Sequence, residues 1–283
     1  MSAPLIHAFA DEASPNLDGQ IAAMLRNGLQ GLEVRGVDGR NVSDLSVSGA
    51  REVRRRLEEN GLCAWSAGSP IGKISLADDF AAHLDRFRRT VEVTAALGAK
   101  RIRMFSFYPR EGQAQPDMRG QVLDQLGAMC DACEGSGVLL CHENEKGIYG
   151  DNAERCLDLL TAEPRLCAVF DPANFIQCSQ DTLEAWEMLK DRVDYLHIKD
   201  AFFADGRVVP AGRGDGHVPE IVKDYLARGG AAMTIEPHLT VFAGLKDLER
   251  EGGRSAVGAY AYESADAAFD AACAALKRIL EEA

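Results

Sequence analysis

No stretch of this 283-residue chain approaches the ~18–20 consecutive apolar residues that a membrane-spanning helix needs, which argues against a membrane role. The opening MSAPLIHAFADE turns acidic before the apolar core of a signal peptide could form, so a cytoplasmic, reducing location is expected. Positive charge is also in short supply. Lys and Arg number 31 against 44 Asp and Glu, a formal net charge of −13. A polyanion such as DNA, gripped through Lys and Arg contacts to phosphate, is a poor match for that balance. A single local pocket for one phosphate group stays compatible with it. Cysteine is plentiful, with eight residues, but a zinc pattern is lacking: Cys130-x-x-Cys133 has no second pair and no nearby histidine to complete a site. The cysteines are expected to pack as small hydrophobic side chains. Also missing is a glycine fingerprint after the first strand, where a dinucleotide-binding sheet would carry one. Gly212-x-Gly214-x-Gly216 precedes a helix but follows a long loop, a weak signal of that kind.

What the chain does have is a regular alternation. Short apolar runs at 5–10, 31–34, 62–67, 100–108, 138–141, 166–170, 195–196 and 231–235 read as strands. Between and after them, helical periodicity covers a segment from a Ser14-Pro15 start to about Gly28, then 52–59, 79–97, 116–133, 152–160 capped by Asp151, 182–189, 218–227 and 265–280. Residues 201–217 read as a long loop. Alternating strands and helices imply a parallel sheet, and eight apolar strands with no linker or composition break imply one (β/α)8 barrel, a TIM barrel spanning residues 1–283.

The strands end alike. Val138-Leu-Leu-Cys141 runs into His142, Glu143, Asn144 and Glu145; the later strands run into Asp171, His197 and Glu236. In a barrel the C-terminal strand ends share one bowl, so Glu143, Asp171, His197 and Glu236, from four consecutive strands, can converge on one ion. Three carboxylates and an imidazole suit Mn, Mg, Co or Zn as the divalent ion. Open coordination positions would take the vicinal oxygens of a polyol or hydroxyketone, and the ion would act as a Lewis acid favouring an enediolate. Glu143 and Glu236, on strands three apart, can take a proton from one face of a carbon and return it at the other.

These segments, CHENEKGIYGD, FDPANF, YLHIKDA, VPAGRGDGHVPE and TIEPHL, together with FADEASPNLDGQI, VRGVDGRNVSDLS, GSPIGKI and RIRMFSFY, resemble the sugar phosphate isomerase/epimerase family, the xylose-isomerase-like barrels. The likeness spans almost the whole chain and is least distinctive beyond about Val241. Resemblance to ketose 3-epimerases implies that Glu143, Asp171, His197 and Glu236 are the metal ligands and that the two glutamates transfer protons. It departs at Asn174, where those epimerases have a histidine; asparagine can hydrogen-bond a substrate oxygen but carries no charge. Endonuclease IV, in the same barrel family, needs several more histidines than the six present here. Lys73, Asn174, Lys199, Arg213, His238 and Glu145 are the candidates for substrate contact, with Arg35, Arg103 and Lys146 as further cations near the mouth and His142 behind it. Barrels often bind phosphate after strands seven and eight, and Gly212-Arg213-Gly214 offers backbone N–H groups and a guanidinium there. Trp65, Phe107, Tyr108 and Phe175 are candidate pocket walls.

The reading that follows is a metal-dependent isomerase or epimerase of a sugar, sugar phosphate or keto-sugar. The alternatives are a dehydratase of a keto-polyol such as an inosose, and a non-catalytic sugar-binding barrel. The expected partner is a small carbohydrate, with no nucleic acid and no membrane, and the resemblance implies a homodimer or homotetramer.

Overall fold

The alternation of strands and helices closes into a ring. In the computed structural model, which describes residues 3–242 and 262–282, eight parallel strands form a closed barrel. They are β1 (Leu5–Ala8), β2 (Gly31–Val34), β3 (Cys63–Gly68), β4 (Arg101–Met104), β5 (Leu139–Glu143), β6 (Leu166–Phe170), β7 (Val193–Ile198) and β8 (Ala232–Ile235). Neighbours follow chain order, and β8 closes on β1 with Leu5 to Ala8 opposite Ala232 to Ile235. The flanking helices are α1 (Leu17–Arg26), α2 (Val47–Glu59), α3 (Phe80–Leu97), α4 (Arg119–Cys133), α5 (Ala153–Ala162), the short α6 (Pro172–Gln177), α7 (Thr182–Leu189), α8 (Val218–Ala227) and α9 (Ala265–Glu282). None of the described helices is long and apolar enough to cross a membrane. Beyond Phe242, residues 243–261 lie outside the described residues.

Several boundaries differ from the sequence reading, each for a local reason. Asn16, not Ser14, caps α1, because its side chain accepts the Gly19 N–H at 2.9 Å. Asn152 rather than Asp151 caps α5 by accepting from Arg155 N at 2.9 Å, while the Asp151 carboxylate is taken by Arg155 and Gln115. Helix α2 begins a turn and a half earlier than expected, with Ser46 accepting from Gly49 N; Ala50, Val53 and Leu57 form its buried stripe. Strand β4 stops at Met104. Beyond it Phe105 and Phe107 donate their N–H groups to Ile71 and Gly72 in the loop after β3. A Cβ on Gly72 would meet the Phe105 carbonyl oxygen at 2.0 Å, so this crossing requires glycine. Within the 201–217 loop, Ala201 and its neighbour Asp200 pair antiparallel with Val208–Val209.

Side chains alternate between the two faces of a strand, and the two faces meet different surroundings. The outward set, including Leu32, Ile102, Leu140, Ile198 and Met233, joins the helices in one large core. Fully burying such a side chain is worth about 1.5–3 kcal/mol. The inward set forms a separate small cluster of Cys141, Val169, Tyr195 and Ala232, with Trp65 and Cys167 against it. That plug fills the barrel below the site. The eight cysteines are free, and buried Cys130 and Cys133 lie in the helical shell.

Candidate metal centre

Two residues above the inward plug on β5, β6 and β7 stand Glu143, Asp171 and His197; four above Ala232 on β8 stands Glu236. The period of two thus sends all four into the same bowl. Their ligand-capable atoms lie within 4.8 Å of one another and all four residues are buried. His197 Nδ1 is 2.9 Å from Glu143 Oε1, 3.6 Å from Glu236 Oε2 and 4.0 Å from Asp171 Oδ2. Lys199, two residues beyond His197 on the same side of the chain, places Nζ 2.6 Å from Asp171 Oδ2 and 2.8 Å from Glu236 Oε2.

The second oxygens of the two glutamates are tied back to the wall. Arg103 Nη1 donates to Glu143 Oε2 at 3.0 Å, and Arg35 Nη1 donates to Glu236 Oε1 at 3.3 Å. Both guanidiniums lie against the Phe9 ring, at 4.4 Å for Arg35 and 5.2 Å for Arg103. A Cβ on Gly68 would strike Phe9 at 2.5 Å, so the end of β3 must be glycine for this ring to fit. Asn174 donates to Glu143 Oε1 at 3.2 Å and to the Asn144 carbonyl at 2.9 Å. Its backbone N–H caps onto Asp171 Oδ1 at 3.0 Å. Asn144 in turn exchanges two hydrogen bonds with the Asp171 backbone.

The electrostatics follow from burial opposed by close partners. Burial works against the Glu143 carboxylate, but His197 and Arg103 outweigh it and hold its pKa down to about 2. Glu236 is likewise held well below its ordinary value, against burial, by Lys199 and His238. At Asp171 burial prevails over Lys199, with Glu236 and Glu143 adding to it, and the carboxyl rises to about 8. Burial disfavours a charged His197, yet Glu143 and Glu33 on either side raise it well above the usual histidine value.

Does this set suit a divalent ion? Its donors are hard oxygens with one imidazole nitrogen, the chemistry of Mn, Mg, Co or Zn sites. Asp171 Oδ2 is buried and accepts no well-formed hydrogen bond. Among the described residues, seven carboxylates (Asp11, Glu12, Glu33, Glu143, Glu145, Asp171, Glu236) meet four side chains of fixed positive charge (Arg35, Lys73, Arg103, Lys199) in and around the bowl. Buried charge without its counterpart is costly, and a dication offsets the excess. The residues fit the ion. A second grouping, Glu12, Glu236 and His238, is different: Arg35 already bridges its two carboxylates, at 3.0 and 3.3 Å.

The remaining expected site residues separate into those the fold gathers and those it does not. Lys73 Nζ pairs with Glu145 Oε2 at 2.8 Å over the Phe105 ring, beside the cluster. His238 lies 3.1 Å from Glu12 and 3.6 Å from Glu236. Arg213 is exposed on its loop. The phosphate cradle expected around it has another occupant: the N–H groups of Gly212, Gly214 and Gly216 all donate to the Asp200 carboxylate at 2.9 Å. His142 points to the outer face and bonds Ser106 Oγ at 2.9 Å. Phe107 and Phe175 are fully buried in the core between barrel and helices, and Trp65 stacks on His7 in the barrel interior at 4.4 Å.

Residues 21–240 match the xylose isomerase-like TIM barrel family. The chain belongs to that family. No curated protein matches it in sequence. Among solved structures, this xylose isomerase-like barrel is similar to an L-ribulose 3-epimerase, at 18% identity and a TM-score of 0.75, covering 99% of this chain and 95% of that one. It is similar to the IOLI protein with a bound zinc atom, at 15% identity and a TM-score of 0.75 over 99% and 98% of the two chains. A probable 3-DHS dehydratase, AsbF, from Bacillus anthracis aligns at 14% identity with a TM-score of 0.68 over 98% and 99%. At such identities the likeness is one of fold.

Sequence reasoning missed Glu33 and Glu12 as members of this network. Glu33 had a signal of its own, a lone carboxylate inside the Gly31–Val34 strand whose other positions are buried and apolar. Glu12 sits in a one-turn helix after β1, and nothing local marks it.

Proposed function

We propose that the chain is a divalent-metal-dependent isomerase or epimerase of an unphosphorylated sugar or keto-sugar, working by proton transfer between Glu143 and Glu236. The observation that carries the reading is the convergence of Glu143, Asp171, His197 and Glu236, from four adjacent strands, within 4.8 Å. These four residues would hold the ion. When bound, such an ion supplies Lewis-acid polarisation of a substrate carbonyl and a fixed anchor for vicinal oxygens.

The protein's own groups do the rest. Arg103 and Arg35 hold the outer oxygens of the two glutamates, leaving Glu143 Oε1 and Glu236 Oε2 turned toward the shared space. One of these oxygens removes a proton from the carbon beside the carbonyl; the other glutamate, ionised at rest like the first, takes up a proton from solvent before the step and delivers it to the opposite face of that carbon. Lys199, between Asp171 and Glu236, is placed to donate a hydrogen bond to a substrate oxygen on which negative charge grows. Asn174 holds Glu143 from the other side. The four residues are at most 4% exposed, which keeps competing water from the transferred proton.

The substrate is read as uncharged because Arg35, Lys73, Arg103 and Lys199 already serve carboxylates, Lys146 bonds the Gln177 amide, and the glycine amides serve Asp200. The test is proton exchange from D2O into neutral ketoses and into ketose phosphates, with Mn2+ and with chelator. Metal-dependent exchange into a neutral ketose is expected. Exchange confined to phosphates overturns the neutral substrate; activity that survives complete chelation overturns the metal. A second reading, dehydration of a keto-polyol, is favoured by one observation, the Lys199 ammonium beside both carboxylates. There a glutamate takes the carbon-bound proton, the C–O bond breaks, and the hydroxyl leaves as water with a proton from Lys199. A product lighter by one water replaces the first reading with this one.

A further inference from the structure

Below the four proposed ligands lies a carboxylate that the proton-transfer scheme does not use. Glu33 is 1% exposed and comes from β2 at a register shift between Leu32 and Glu33 against β3, the kind of irregularity that re-aims a side chain. Its Oε2 is 3.2 Å from His197 Nε2. Its Oε1 accepts from Tyr195 O–H at 2.7 Å and from Ser66 O–H at 3.4 Å. Tyr195 and His197 share the inward face of β7, so one strand carries both the group that is held and the hydroxyl that steadies its holder. The imidazole is also boxed in from its sides. The Phe9 ring meets it edge-on at 5.2 Å and Tyr195 at 5.5 Å, which opposes a flip of the ring.

We infer that Glu33 is a positioning residue that fixes which nitrogen of His197 meets the metal, an inference that rests on the metal-dependent reading above. An ionised carboxylate only accepts hydrogen bonds, so the nitrogen facing Glu33 carries the proton. Nδ1 faces Glu143, Glu236 and Asp171 at 2.9, 3.6 and 4.0 Å, the residues that would hold the ion, so it is the nitrogen that would give up its proton and offer its lone pair when an ion binds. No arginine or lysine among the described residues is hydrogen-bonded to Glu33, whose partners are a tyrosine, a serine and the histidine. A carboxylate buried without a bonded arginine or lysine is an expensive structural filler. It is a suitable polariser of an imidazole ligand, and such partners commonly set metal affinity.

The test uses the full chain. Mn2+ affinity is measured by equilibrium dialysis for wild type, Glu33→Gln and Glu33→Asp, and the protonated nitrogen of His197 is read from long-range 1H–15N spectra of the Zn2+-loaded protein. The expected results are a dissociation constant raised about 10–100-fold in Glu33→Gln, partial recovery in Glu33→Asp, and a wild-type spectrum with the proton on Nε2. Unchanged Mn2+ affinity in Glu33→Gln, or a wild-type proton on Nδ1, overturns the inference while leaving the metal site standing. If Glu33→Gln does not fold, Glu33→Asp decides alone: weakened binding supports the role and wild-type binding refutes it. A wild-type chain that takes up no divalent cation removes the metal reading itself, and this inference falls with it.

Discussion

Two places in this barrel look from the sequence like ligand sites, and the fold treats them oppositely. At the ends of β5 to β8, four donors converge and the chain supplies too little positive charge to satisfy the carboxylates around them. At the Gly212–Gly216 turn, three amides converge and the chain supplies the anion itself, Asp200. A cradle of donors signals a ligand only where the chain's own groups leave it unsatisfied. The glycines there have a packing role instead, since a Cβ on Gly214 or Gly216 would meet Asp200 Oδ1 at 2.4 or 2.6 Å.

The contrast can be broken most directly at the acidic cluster. Replacing Glu236 or Glu143 by Gln should slow proton exchange into substrate by roughly 10²–10⁴-fold, the usual contribution of a positioned acid or base, with an unchanged circular dichroism spectrum. A variant retaining full exchange would remove the glutamate from the chemistry. A smaller but independent effect concerns the ion. Divalent metal at about 100 times its dissociation constant should stabilise the fold by about 2.7 kcal/mol, read as a shift in urea unfolding with and without chelator. No shift would place the cluster with the self-satisfied turn.

At the turn the prediction runs the other way. Asp200→Ala strips the acceptor from the Gly212, Gly214 and Gly216 amides and should cost about 1–3 kcal/mol of stability, while metal affinity of the folded protein is maintained. Arg213→Ala should stay within about 0.5 kcal/mol of wild type and leave KM unaltered; a large rise in KM for a phosphorylated substrate would restore the phosphate pocket.

The acid side of the stability profile sharpens the comparison from outside both regions. Burial lowers His83 to about 4, and its Nε2 accepts the Gly72 N–H at 3.0 Å. Its folded pKa lies below the unfolded value of 6.5, so unfolding takes up a proton in between. The stability from neutral His83 is complete above about pH 6.5 and is lost as the pH falls toward about 4. His7, lowered to about 4 by the same cause, adds to the slope. Urea titrations of His83→Gln should therefore show a flatter acid limb than wild type; an identical slope would refute the assignment.

How legible was this in advance? Glu143, Asp171, His197 and Glu236 could be named because each follows an apolar run and strand ends in a barrel share a bowl. Lys199 could be named only as one of several cations near the mouth. The caps of α1 and α5 were misplaced by one or two residues because Ser14, Asn16, Asp151 and Asn152 can each cap, and only the turn geometry selects between them. Phe107 and Phe175, expected as candidate walls, pack in the core between barrel and helices, since nothing in an aromatic residue tells which side of a loop it packs on.

The amino-acid sequence alone determined the barrel and the four converging side chains, because a strand's period and its polar end are local properties. Only the tertiary structure decided that Asp200 fills the glycine turn, that Arg35 and Arg103 brace the two glutamates across Phe9, and that Glu33 stands behind His197. Those pairings join residues 12 to 201 positions apart, and partnership at that range is set by where closure of the ring places each side chain.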